Sequence, residues 1–268
     1  MTESSSQPRI LYLSHGGGPL PLLADPGHQE MVENLQAIAA QLPKPKAIVL
    51  ISAHWEANQA TMTRGANPPL IYDYYGFPEP AYQITYPAPG APKLADRIFT
   101  LLQKRDIAAS LTEERGFDHG LFVPLKIMYP AADIPSVQLS LVKGLDAQTH
   151  IEMGRAIAPL ADENILIIGS GFSFHNLPAL RAPVTPEAQS KNKAFEQWLI
   201  DTCANPELNE TERANRLLHW DAAPAARYCH PREEHLLPLH VCYGAAGRAC
   251  RQFFELTIMG KKASVYLW

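Results

Sequence analysis

The chain has 268 residues, 46% hydrophobic and 19% charged, which excludes a disordered chain and suffices for a sizeable core. A formal net charge of −4 at pH 7, with no basic stripe interleaved with aromatics, argues against nucleic acid as a partner. No apolar run approaches the roughly 18 residues of a membrane helix, and the start, Met1 to Arg9, lacks the apolar stretch of a signal peptide, so a cytoplasmic protein is expected.

Residues 9–14 read as a short buried strand. An amphipathic helix is expected over 28–42, with Met31, Leu35, Ile38, Ala39 and Leu42 at helical spacing and Pro43 as the stop. Residues 47–51, Ala-Ile-Val-Leu-Ile, suit a strand buried on both faces of a parallel sheet. Residues 64–92 are rich in Pro, Gly and Tyr without a period; a long loop of this kind in a compact domain is usually functional. Leu94, Ile98, Leu101 and Leu102 mark a second helix, and a third opens near Gly120 and continues over 124–129. A strand over 135–141, a helix over 147–161 and a buried strand over 165–168 follow. Helices are expected over 187–203, 207–219 and 236–243, then two final strands over 253–258 and 263–267, antiparallel at one edge. This alternation predicts one α/β domain over 1–268, in three layers, with a central mostly parallel (mixed) sheet flanked by helices. Cys203, Cys229, Cys242 and Cys250 form no CxxC pair and read as free thiols.

Three histidines share a place that the strands explain. His15 follows the first strand, His54 the second, and His175 lies a few residues past the strand over 165–168. Parallel strands put all three at one sheet edge, where open α/β sheets bind ligands. Imidazole is the commonest ligand for zinc, iron and copper, and three converging imidazoles suffice for a site with open positions. His119, in Phe117-Asp118-His119-Gly120, sits at an expected helix start that Asp118 would cap. In the stretch 230–240, His230, Glu233, Glu234 and His235 could each offer a ligand, whereas His240 reads as packing. Gly169-Ser170-Gly171 is not a Gly-x-Ser-x-Gly elbow, because Ser170 lacks the glycine two positions before it.

Five segments together resemble the class III extradiol dioxygenases, and within them the DOPA 4,5-dioxygenase branch. They are Ser14-His15-Gly16-Gly17, Ser52-Ala53-His54-Trp55, Gly116 to Gly120, Gly169-Ser170-Gly171 with His175-Asn176, and Glu234 to Leu239. Gly76-Phe77-Pro78 and Tyr86 to Gly90 are similar to the same branch. The resemblance implies a metal-dependent oxidoreductase of aromatic compound catabolism that opens a catechol-type (DOPA-like) ring with O2. It implies His15, His54 and His235 as metal ligands, His175 as the base beside the metal and an occasional fourth ligand, and His119 as a histidine that contacts substrate. It implies one divalent ion, Fe(II) or Zn(II), a small aromatic diol and O2 as partners, and allows a homodimer. The all-imidazole ligand set departs from the two-histidine, one-carboxylate pattern common in iron dioxygenases. Gly17-Gly18-Pro19 departs from the Ser-Pro of many members, so the substrate need not be DOPA. Two rivals stand beside this reading: a zinc-dependent hydrolase on the same histidines, and a non-catalytic metal-binding homologue. Lys143, Arg64 and Arg181 are candidates to pair with a substrate carboxylate.

Overall fold

The computed structural model describes residues 9–268. Of the polar start discussed above, residues 1–8 lie outside the described residues. Strand β1 is Ile10–Ser14 and helix α1 Gln29–Gln41, followed by β2, Ala47–Ala57, and β3, Ala60–Thr63. Then come α2, Pro92–Gln103, β4, Ala109–Thr112, α3, His119–Met128, and β5, Ser136–Val142. Helix α4, Ala147–Ile157, leads to β6, Ile165–Gly171, and to α5, Leu177–Arg181, and α6, Pro186–Cys203. Helices α7, Glu210–Leu218, α8, Ala226–Cys229, and α9, Leu237–Ala246, precede the hairpin of β7, Gln252–Ile258, and β8, Lys261–Leu267.

The strands form one eight-stranded sheet in the order β4-β3-β5-β2-β6-β1-β8-β7. The central four, β5-β2-β6-β1, are mutually parallel, and β8 and β7 run antiparallel at one edge, as expected. The other edge is a new finding. β3 runs antiparallel to β5 and carries β4 parallel to itself. Both strands are only four residues long, Ala-Thr-Met-Thr and Ala-Ser-Leu-Thr, and so brief an alternation carries little weight by itself, which is why sequence pattern alone passes over them. The central strands are buried along almost their whole length, since helices cover both faces.

One boundary differs in a way that matters. The second strand does not stop at Ile51 but continues to Ala57, with a break in register against β5 between Ser52 and Glu56. Residues 53–55 leave the ladder, and His54 therefore projects from a bulge instead of following the strand. Bulges re-aim side chains at the rims of sheets.

Candidate metal centre

The parallel strands β1, β2 and β6 end at one edge, and five histidines meet there. Ring centroids of His15 and His54 are 4.9 Å apart, His54 and His119 3.8 Å, His54 and His235 4.8 Å, and His15 and His235 5.3 Å. His175 stacks on His235 at 3.3 Å, with 16° between planes. All five positions named from the sequence therefore come together. The tightest groups of ligand atoms are His15 with His54 and His119, and His175 with Glu234 and His235. The expected triple of His15, His54 and His235 thus spans two neighbouring groups.

Each ring is held by local chemistry. Pro124 lies inside α3 and has no N–H for the carbonyl of Gly120. Ser170 fills that vacancy, its hydroxyl donating to Gly120 O at 2.6 Å. With its only proton spent, Ser170 Oγ can only accept from His15 Nδ1, 3.0 Å away. His15 therefore carries its proton on Nδ1 and presents Nε2 as a lone pair. A β-carbon at Gly120 would meet Ser52 Oγ at 2.5 Å and His54 Cδ2 at 3.2 Å, so the glycine is what lets β2 and the start of α3 close on each other.

The glycines of β6 do the same for His235. A β-carbon on Gly171 would meet His235 O at 2.1 Å, and one on Gly169 would meet Pro238 O at 2.5 Å. Their absence lets the start of α9 press onto the strand. His235 O is then fixed by Phe172 N at 3.2 Å and Tyr12 Oη at 3.0 Å.

Two carboxylates hold the remaining rings. One oxygen of Glu234 accepts from Nδ1 of His175 at 2.9 Å and from Nδ1 of His235 at 3.0 Å. Asp73 accepts from both the backbone N–H of His119 at 3.0 Å and its Nδ1 at 2.8 Å, and its second oxygen lies 3.9 Å from His54 Nδ1. Asp73 thus serves the start of α3, while Asp118, the expected cap, turns away to Ser52, Arg115 and Gln138. For His15, His119, His175 and His235 the acceptor lies on Nδ1, which leaves Nε2 for a ligand; His54 has the Asp73 carboxylate near its Nδ1 but beyond hydrogen-bond distance.

The electrostatics agree. Burial, and then the neighbouring imidazoles, hold His15 far below its ordinary pKa. His235 is depressed by burial, then by His175 and His54, and His54 by burial and His119 against the pull of Asp73. Neutral imidazoles are the ligand form. Burial raises Asp73 and Glu234, but their hydrogen bonds to His119 and His175 outweigh it and hold both below the usual carboxylate range.

The donor set fits a divalent cation. His15 Nε2 and His54 Nε2 lie 3.0 Å apart. Two nitrogens about 2.1 Å from one ion stand about 3 Å apart when they subtend a near right angle. His230 plays no part, since its Nε2 is bonded to Ser173 O at 2.7 Å, nor does His240, bonded to Leu217 O at 2.8 Å. Glu233 is paired with Arg227. Arg64, a candidate for substrate carboxylate, is instead occupied by Asp96 and Glu113.

The aromatic loop does wall the cluster. The ring of Tyr74 lies 5.7 Å from His119 and 5.4 Å from Phe77, and Phe77 in turn lies over Gly18. Sequence reasoning, which read that loop only from its Pro, Gly and Tyr content, missed Asp73 and gave Ser170 no role. It counted Glu234 among ligand candidates, whereas the carboxylate orients two rings.

Comparison with known proteins agrees with this geometry. Residues 9–264 match the family described as the catalytic LigB subunit of aromatic ring-opening dioxygenase. Dioxygenase tasH of Hapsidospora irregularis is 40% identical, over 97% of this chain and 85% of its own length. A 4,5-DOPA dioxygenase extradiol of Beta vulgaris is 40% identical over 88% of this chain and 86% of its own. The crystal structure of an uncharacterized protein from Escherichia coli K12, JW3007, superposes with a TM-score of 0.76 at 31% identity, covering 97% of this chain and 99% of that one. With a bundle of imidazoles at the carboxyl edge of the sheet and a family match over nearly its whole length, the chain belongs to the class III extradiol dioxygenases of the LigB family, ring-cleaving oxidoreductases that act on aromatic compounds.

Proposed function

We propose that this enzyme opens the ring of a catechol bearing a DOPA-like side chain, with His15, His54 and His235 holding one Fe(II) through Nε2. The observation that carries the reading is the placement of acceptors on Nδ1 of His15, His235 and His119, by Ser170, Glu234 and Asp73, together with the approach of His54 Nε2 to His15 Nε2 at 3.0 Å. Bound iron supplies redox chemistry toward O2 and positive charge for a catecholate; zinc, with no redox chemistry, supplies only the charge.

The protein's own residues do the rest. His175 takes a proton from a substrate hydroxyl at Nε2, since its Nδ1 proton is committed to Glu234. Glu234 stabilises the imidazolium so formed by its charge at 2.9 Å. His119, its Nδ1–H held by Asp73, turns Nε2 to the site, where it accepts a hydrogen bond from a substrate hydroxyl. Tyr74 and Phe77 exclude water from one wall and offer edges to an aromatic substrate. Among the described residues no helix is long and apolar enough to cross a membrane; a cytoplasmic location, a single catalytic domain and a homodimer belong to the proposal.

The test is isotopic. With iron-loaded protein and ¹⁸O2, both labelled atoms are expected in the ring-opened product. A product with label from water, or no ring opening across catechol amino acids, acids and simple catechols, would remove the reading.

A further inference from the structure

Behind the histidine cluster, across the segment 172–175, lies a buried carboxyl that the proposed chemistry does not use. Glu196 of α6 is 3% exposed. Ser264 Oγ on β8 donates to its Oε2 at 2.7 Å, and the hydroxyl of Ser173 acts on the same carboxyl electrostatically. Its other oxygen, Oε1, is buried without a partner.

The hydroxyls reach further. Ser173 N donates to Ser14 Oγ at 3.1 Å, Ser14 Oγ donates to Ser264 O at 3.0 Å, and Ser264 N donates to Ser173 Oγ at 2.9 Å. Three segments are thereby closed into one ring of bonds: the end of β1, the segment after β6, and β8. All three serines are fully buried. Glu196 is the acceptor on which the ring ends, because the hydroxyl proton of Ser264 has it as its partner. His15 follows Ser14 directly, and His175 is two residues after Ser173.

A leucine in place of Glu196 would avoid the desolvation of a buried carboxyl, but it would leave the buried hydroxyl proton of Ser264 without its acceptor. Burial pushes this carboxyl up to about 7, against the pull of Ser173 and Ser264. A neutral acid still accepts through its carbonyl oxygen, and a glutamine presents the same oxygen.

We infer that Glu196 is a positioning residue, which through Ser173, Ser264 and Ser14 sets the placement of His175 against His15. The inference rests on the roles proposed for those two histidines. It assigns Glu196 no contact with substrate or metal.

Glu196→Ala, Glu196→Gln and Ser173→Ala are made in the full chain. O2 uptake with a catechol amino acid is measured on iron-loaded protein, normalised to bound metal. The downfield proton NMR signals of the His175 and His235 Nδ1–H groups are recorded on zinc-loaded samples. Glu196→Ala is expected to lower kcat by about tenfold or more, with KM changed less than about threefold, because misplaced groups lose rate before binding. The Nδ1–H signals should shift or vanish, and Glu196→Gln should restore both. If the alanine variant does not fold, Ser173→Ala carries the test with the same signature. A lower thermal midpoint with kcat, KM and both signals as in the wild type would overturn the inference. If the wild type takes up no O2, the ring-opening reading fails and the signals alone decide: loss in the alanine variants with return in Glu196→Gln upholds the positioning role, and unchanged signals overturn it.

Discussion

Glu234 and Glu196 flank the segment that carries His175; Glu234 accepts two hydrogen bonds and the buried Glu196 accepts one from Ser264. Their ionisation nevertheless differs in direction. Glu234 is held below the usual range because its partners are imidazoles that can carry charge, with Arg232 3.5 Å away. Glu196 is pushed up to about 7 because burial outweighs the neutral hydroxyls of Ser173 and Ser264, while the more distant charges of Glu255 and Lys262 act in opposite directions. The partner's capacity for charge, more than burial, decides whether a carboxyl serves as a counter-ion or as a neutral acceptor. On the side of the histidine cluster, the base proposed at His175 needs a charge that answers its protonation. On the far side it needs only shape and an acceptor.

The largest effect should come from removing the charged member. Glu234→Ala strips the acceptor from two rings at once and should lower metal affinity about 10- to 100-fold, measured by chelator competition, with turnover falling alongside. If metal binding and rate are untouched, the carboxylate does not orient the rings. The same logic separates His235 from His119, which lie in different tight groups. His235→Ala is expected to abolish stoichiometric metal, while His119→Ala keeps the metal and loses about 10²-fold in rate; metal analysis of both proteins would show the reverse if His119 were the ligand.

The contrast in ionisation makes a prediction about stability. A raised carboxyl contributes stability that is fully present below its unfolded value of 4.5 and is lost as pH rises through about 7. Glu196→Gln should therefore flatten the decline in urea-unfolding free energy between pH 5 and pH 8, by up to about 3 kcal/mol. Depressed carboxyls such as Glu234 and Asp73 work in the opposite sense: their stability is present above the unfolded values of 4.5 and 3.8 and is lost as pH falls through the lower folded ones. Equal pH dependence in the wild type and Glu196→Gln would erase the contrast. A smaller effect belongs to Ser170→Ala, which leaves Gly120 O and His15 Nδ1 unpaired and should cost about 1–3 kcal/mol by denaturant titration. Smallest of all is Arg232→Ala at the exposed pair with Glu56, expected within about 1 kcal/mol of the wild type.

Most of the α/β alternation was legible because long apolar runs and helical spacing mark buried strands and amphipathic helices. His15, His54 and His175 were legible for a related reason, since strand ends in a parallel sheet share one edge, whereas His119 and His235 took their places from the family resemblance. The short strands β3 and β4 and the bulge at His54 were not, because each depends on a partner strand and not on local pattern. Asp73 stayed hidden for the same reason. Its partner His119 lies 46 residues away, and an aspartate between tyrosines carries no local sign of that bond. Ser170 needed the knowledge that Pro124 orphans a carbonyl on another element.

The central claim is that the histidine cluster, once it holds iron, opens catechol rings with O2. The most direct measurement is O2 consumption by freshly Fe(II)-loaded protein against a panel of catechols, with visible absorbance followed in parallel and zinc-loaded protein as the control. The account predicts one O2 taken up per catechol lost, a new yellow chromophore, and no uptake by the zinc-loaded protein. No uptake by the iron-loaded protein with any catechol, together with ester hydrolysis by the zinc-loaded protein, would contradict it.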